Sequence, residues 1–125
     1  MFTGDIVARM KRVGYRQAIQ RAAVDAGEVA FGTRAALAEW AGTHRSQITR
    51  IAGGQEAGGE AAWRLAALAS VVTALFAVYD ADAIPGWLRG SNPHLQDRRP
   101  LDALAEGDLA AVMAAVQAAR SGVYA

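Results

Sequence analysis

The run LAALASVVTALFAVY, Leu65 to Tyr79, is 15 residues long and carries no charge. A helix needs about 20 apolar residues to span a bilayer, so this run is too short to cross one and must be covered by protein. Apolar side chains lie almost all round the helix it would form, with Trp63, Leu65, Leu68, Val71, Val72, Leu75, Phe76 and Tyr79 prominent. Such a helix has to bury against more than one neighbour, either at the centre of the chain's own core or by self-association. A helix over 60–79, acting as core or dimerisation element, is therefore the first expectation.

The rest of the chain agrees with an all-α fold. Thirty of its 125 residues are alanine and only three are proline, and alanine enters a helix without losing side-chain entropy. There is no cysteine, which removes disulfides, thiolate catalysis and thiolate-held zinc, and no leader-like segment opens the chain. A cytoplasmic location without membrane attachment follows as an expectation. The net charge is +1 but unevenly spread: basic residues exceed acidic ones in residues 1–64, and the reverse holds in 65–125. An anionic partner is to be sought on the basic half.

The opening segment DIVARMKRVGYRQAIQRAAVDAG reads as a helix with Asp5 as N-cap, Gly27 as stop and Gly14 as a possible break. Its cations Arg9, Lys11, Arg12, Arg16 and Arg21 form either a solvated face or a phosphate-binding one. A second pattern follows over 33–52. A helix-turn-helix needs a small residue where its helices cross, a glycine able to take positive φ in the turn, and branched residues that seat the second helix. Ala38, Gly42, Ile48 and Ile51 meet those needs, with Leu37 and Ala41 also facing inward. A helical hairpin of other purpose shares this spacing. If the second helix enters a groove of DNA, Arg45, Ser46, Gln47, Thr49 and Arg50 are its reading face, since Arg and Gln bond base edges bidentately and Ser or Thr reach phosphate or base. His44 at its start is a weaker cap than Ser or Asn. The tract GGQEAGGE, Gly53 to Glu60, reads as a hinge, so that 1–59 forms one unit and 80–125 another.

Catalytic chemistry finds little support. His44 and His94 stand far apart and outside any metal-ligand spacing, and the one lysine, Lys11, follows no phosphate-binding glycine loop. Asp80, Asp82 and Asp102 read as helix-boundary residues, and no nucleophile, base and orienting acid come together. The expectation is a binding protein with neither enzyme activity, cofactor nor metal.

The most irregular chemistry lies in WLRGSNPHLQDRRPLDALAEGD, Trp87 to Asp108. Pro100 suits the first position of a helix, where its missing N–H costs nothing. Trp87 and Leu88 suit an apolar anchor for the loop. Arg98 and Arg99 are either a solvated basic pair or contacts for acidic residues of a binding partner. Asp108 caps a last helix patterned on Leu109, Val112, Met113 and Val116, which Gly122 ends.

Residues 84–124 as a whole resemble the C-terminal toxin-binding domain of the Xre/MbcA/ParS antitoxins, which accompany RES-domain toxins. The residues that carry the resemblance are Trp87 and Leu88, Asn92, Leu95, Arg99, Pro100-Leu101-Asp102, Leu104, Gly107, Val112, Val116 and Gly122. Asp97 stands where the family pattern has a glycine. The family also has a helix-turn-helix ahead of this domain, as this sequence does over 33–52. The resemblance implies an antitoxin whose last helix and tail, Val116 to Ala125, cover the cleft of an NAD-consuming toxin. Arg120 and Tyr124 would make polar contacts there, with Trp87, Arg98, Arg99, Gly122, Val123 and Ala125 completing the toxin-binding set. It further implies autorepression through operator DNA and assembly as a homodimer or a larger complex with toxin. A stand-alone helix-turn-helix repressor with a C-terminal interaction domain is the alternative.

Overall fold

A computed structural model describes the backbone of residues 2–56 and 58–122 and the side chains of residues 14–56 and 58–122. Seven α-helices follow one another among these residues: α1 (Phe2–Phe31), α2 (Arg34–Ala41), α3 (Arg45–Ala52), α4 (Gly59–Leu75), α5 (Ile84–Arg89), α6 (Pro100–Ala105) and α7 (Leu109–Arg120). Single 3₁₀ turns at Ala81–Ala83 and Pro93–Leu95 complete the chain, and the all-α expectation holds.

α4 occupies the centre. It touches α1, α2, α6 and α7, and Leu65, Leu68, Val71, Val72 and Leu75 are 2 % exposed or less. The uncharged run thus serves mainly as the core of a single chain. The helix stops at Leu75 rather than Tyr79, and Phe76 is left half exposed. One continuous core draws on every helix, from Val24 of α1 and Ile48 of α3 to Leu88 of α5, Leu104 of α6 and Val112 of α7. Among the described residues every buried side chain is apolar.

α1 corrects the reading of its glycines. It begins ahead of Asp5 and runs unbroken through Gly14 and Gly27 to Phe31. At Gly27 a Cβ would lie 2.5 Å from Cδ2 of Leu37, so this glycine lets α1 approach α2 and does not end a helix. The terminating glycine is Gly32, at φ +83°.

α2 and α3 meet as the spacing predicts. Thr33 caps α2 by accepting a hydrogen bond from Ala36 N at 3.1 Å. Gly42 ends it in the left-handed region at φ 78°. There Gly42 N donates to Glu39 O and Thr43 N to Ala38 O, the paired bonds that close a helix end around such a glycine. Leu37, Ala38, Ala41, Ile48 and Ile51 are all buried, which is compatible with a helix-turn-helix. α3 starts at Arg45 with His44 in the cap position, and His44 makes no side-chain cap bond.

The helix pair is tied to the C-terminal helices. Trp40 Nε1 of α2 donates to Leu101 O of α6 at 3.2 Å. The Trp40 carbonyl accepts from Arg64 Nη1 at 2.6 Å, and the same guanidinium stands 5.9 Å from the Trp40 ring centre. Arg89 of α5 lies 5.8 Å from the ring centre of Phe31. These contacts fasten the two sides of the glycine tract together through α4 and α6.

Candidate functional site

Residues 90–99, between α5 and α6, form a hydrogen-bonded loop built on Asn92. Asn92 Oδ1 accepts from His94 N at 2.9 Å. Its carbonyl accepts from Leu95 N and Asp97 N at 2.9 and 3.0 Å, and its own N–H donates to Arg98 O at 3.1 Å. Reversing the chain within so few residues requires left-handed backbone at two successive non-glycine positions, Gln96 (φ 59°) and Asp97 (φ 65°). Aspartate tolerates that region better than most residues, which explains how Asp97 can stand where the family pattern has glycine. Leu95, 1 % exposed, pins the loop to the core.

Arg98 fastens this loop to the start of α7. Its Nε donates to Leu95 O at 3.0 Å, its Nη1 to Glu106 Oε2 at 2.8 Å and its Nη2 to Asp108 Oδ2 at 3.0 Å. The bond to Asp108, then that to Glu106, raises the Arg98 pKa further above its already basic value. Asp108 is at the same time the cap of α7, its Oδ1 accepting from Ala111 N at 3.3 Å. One guanidinium therefore holds the carboxylate that caps the last helix. Charge-assisted bonds of this kind are shorter and stronger than neutral ones.

Arg99 forms a bidentate pair with Asp102, Nε to Oδ2 at 2.8 Å and Nη2 to Oδ1 at 2.9 Å. Those hydrogen bonds hold the Asp102 carboxyl below its usual range and raise Arg99. Pro100 begins α6 as expected. Leu88 is fully buried and Trp87 half-buried against the core, so the tryptophan presents part of its ring outward. Val116, expected to face the toxin, is 3 % exposed; it seats α7 in the core and is not available at the surface. Arg120, in the last turn of α7, and Gly122, at φ 73°, are exposed. Val123, Tyr124 and Ala125 lie outside the described residues.

On the other side of the molecule, Arg45, Ser46, Thr49 and Arg50 of α3 are exposed and Gln47 is half-buried. Thr49 Oγ1 donates to Arg45 O at 3.2 Å and accepts from Arg34 Nη1 at 3.3 Å. Arg50 Nη1 reaches Gln47 Oε1 at 3.5 Å. Arg34, which the sequence did not single out, is anchored by Glu28 at 2.6 Å and adds a third cation to Arg45 and Arg50 around this helix. Its position at the start of α2, one residue after Thr33, was the available signal. Glu106 and Asp108 were likewise missed as partners of Arg98, since spacings of 8 and 10 residues follow no helical or strand period.

Among the described residues no three His, Asp or Glu side chains stand close enough to hold a metal ion, and no helix is long and apolar enough to cross a membrane. The arrangement is built for contact: a rigid loop, a helix whose start it fixes, and an exposed terminal turn. These are the parts of a helical protein-binding module. Residues 72–122 match the family model for the antitoxin Xre/MbcA/ParS C-terminal toxin-binding domain, and this match supports an antitoxin of the Xre/MbcA/ParS type. The match opens within α4, ahead of the residues that carry the resemblance in the sequence. No curated protein and no solved structure matches the chain.

Proposed function

We propose that this antitoxin neutralises an RES-domain toxin that consumes NAD, and that its C-terminal end does so by covering the toxin's cleft. The observation that carries this reading is the toxin-binding domain at residues 72–122. Its last helix ends in the exposed Arg120, and Arg98 holds the aspartate that caps its start. The inhibitory segment is the tail beyond α7, with Arg120 and Tyr124 as polar contacts. Trp87, Arg98, Arg99, Gly122, Val123 and Ala125 flank or complete the contact surface. Val116 supports it from the core. The protein acts in the cytoplasm without enzyme activity of its own. It self-associates, and it represses its own operon by presenting Arg45, Ser46, Gln47, Thr49 and Arg50 to operator DNA.

The test is co-expression with the product of the adjacent gene, with NAD measured in the lysate. Removing residues 121–125 leaves every buried residue of α7 in place, so loss of inhibition reports the tail and not unfolding. NAD should hold with the full chain and fall with the shortened one. If both protect NAD, the tail is not the inhibitor. If NAD never falls, the RES reading fails. The exposed cations of α3 then favour a stand-alone repressor, in which Arg45→Ala or Arg50→Ala weakens operator binding by about 1–3 kcal/mol.

A further inference from the structure

α1 and α2 meet at a corner where two charges stand at the helix ends that least favour them. Glu28 lies in the last turn of α1, and Arg34 is the first residue of α2. A helix is partially positive at its start and partially negative at its end, so an acidic group near the end and a basic group at the start both oppose it. No basic residue in the last turn of α1 and no acidic residue in the first turn of α2 offsets this. Gly32, at φ +83°, turns the chain between the two helices, and the two side chains meet. Arg34 Nε donates to Glu28 Oε1 at 2.7 Å, and its Nη2 stands 2.6 Å from the same oxygen. Its Nη1 donates to Thr49 Oγ1 of α3 at 3.3 Å, and that hydroxyl in turn donates to Arg45 O at 3.2 Å. The guanidinium thus has its Nε–Nη2 edge, one of those with which an arginine grips phosphate or guanine, already taken inside the protein. Arg45 and Arg50 differ: both are exposed, and among the described residues neither forms an ion pair.

We propose that Glu28 and Arg34 are positioning residues that make the DNA contact selective: Glu28 withholds Arg34 from phosphate, and Arg34 braces Thr49 of the reading helix. The inference rests on the operator reading of α3 and is independent of the toxin. Phosphate contacts carry no sequence information, and nonspecific affinity grows with the number of phosphates that cations neutralise. A cation beside α3 whose charge is balanced by a fixed carboxylate adds little to that number. The two side chains are 33 % and 37 % exposed, and a partly buried pair is screened by salt less than a surface one. Arg34 instead spends its third bond on the reading helix. α3 is thereby tied to the start of α2 at a point besides its buried Ile48 and Ile51, and the Thr49 hydroxyl is held from two sides. Weaker attraction to any DNA and a stiffer reading surface both raise the ratio of specific to nonspecific affinity, the quantity on which recognition depends. A clamp that served the fold alone would change stability and leave that ratio as it was.

Fluorescence anisotropy of the full chain on the DNA upstream of its gene and on a scrambled duplex of equal length, over a series of salt concentrations, tests this. The unaltered chain should prefer the upstream DNA. Glu28→Gln, which keeps the shape and removes the charge, should bind the scrambled duplex more tightly. Its log affinity should fall with log salt more steeply by about 0.9, the value for one further phosphate. Its preference for the upstream DNA should drop by roughly two- to tenfold, the range that one hydrogen bond contributes. Combining Glu28→Gln with Arg34→Met should return the salt slope to that of the unaltered chain and leave the preference reduced, because Thr49 has lost its brace. Asp82→Asn, which removes an exposed carboxylate after α4, should change neither quantity. Helical content by circular dichroism should be the same in every variant. A chain without preference for the upstream DNA overturns the operator reading, and this inference with it. A chain that has the preference, but in which Glu28→Gln acts no differently from Asp82→Asn, overturns this inference alone. So does a double variant that regains full preference, or a loss of helix in Glu28→Gln, which would make the pair a clamp of the fold.

Discussion

The loop from Asn92 to Arg99 and the α1 segment from Gly14 to Ala22 are both short stretches of this chain, and they are held in opposite ways. The loop contains little regular structure yet satisfies itself: one asparagine organises its turns, one arginine ties it to the start of α7, and Leu95 anchors it. The α1 segment is regular helix throughout, yet it leaves Tyr15 and Ile19 in solvent. Regularity and completeness are thus separate properties. An irregular segment can be finished within its own chain, while an unbroken helix can still lack the surface that would cover it.

The difference between the two regions can be tested by substitution. The largest effect is expected at Leu104, fully buried in α6 beneath the loop. Leu104→Ala should cost about 2–5 kcal/mol in urea unfolding, the range for a buried leucine that leaves a cavity, and a cost under about 1 kcal/mol would mean the C-terminal helices are not packed as described. Next comes a matched pair on α1. Gly27→Ala places a methyl against Leu37 and should destabilise by about 1–3 kcal/mol. Gly14→Ala meets nothing within 4 Å and should stabilise by about 0.5–1 kcal/mol through helix propensity. Equal signs in thermal unfolding would contradict the difference between the packed and open parts of that helix.

Arg98→Ala should have a smaller effect on global stability and a local one on the loop, seen as faster amide hydrogen exchange at Leu95–Arg98 and in the first turn of α7 with α1–α3 unchanged. Uniform acceleration would show that Arg98 does not act as a local fastener. The least effect is expected from Asp102→Asn. Because Arg99 lowers the Asp102 pKa in the folded state, the pair's contribution is present at neutral pH and lost as pH falls through that lowered value. The small gap between wild type and variant should therefore close below the ordinary carboxylate range and narrow in high salt, as exposed ion pairs do. A gap that persists in acid would point to something other than the carboxylate charge.

Much of the architecture was legible in local sequence because its causes are local. Ala38, Gly42, Ile48 and Ile51 mark the helix pair by spacing, Pro100 and Asp108 mark helix starts, and the ending at Gly122 follows from the freedom of glycine to take positive φ. Other features depend on partners distant in the chain. Nothing beside Gly27 announces that Leu37 will press on it, and Val116 continues an apolar pattern without revealing which part of α7 stays outside. The candidate site was legible as a stretch more than as a set of contacts. Arg98 and Arg99 look alike in sequence, yet one fastens the loop to α7 and the other pairs along its own helix.

The Trp40–Leu101 hydrogen bond joins residues 61 positions apart. During synthesis at roughly 5–20 residues per second, Trp40 is made about 3–12 s before its acceptor exists. For that interval the core surfaces of α4 that face α6 and α7 have no partner. A chain cut short before Leu101 therefore lacks the acceptor that joins α2 to α6 and leaves uncovered the α4 surface that meets α6 and α7.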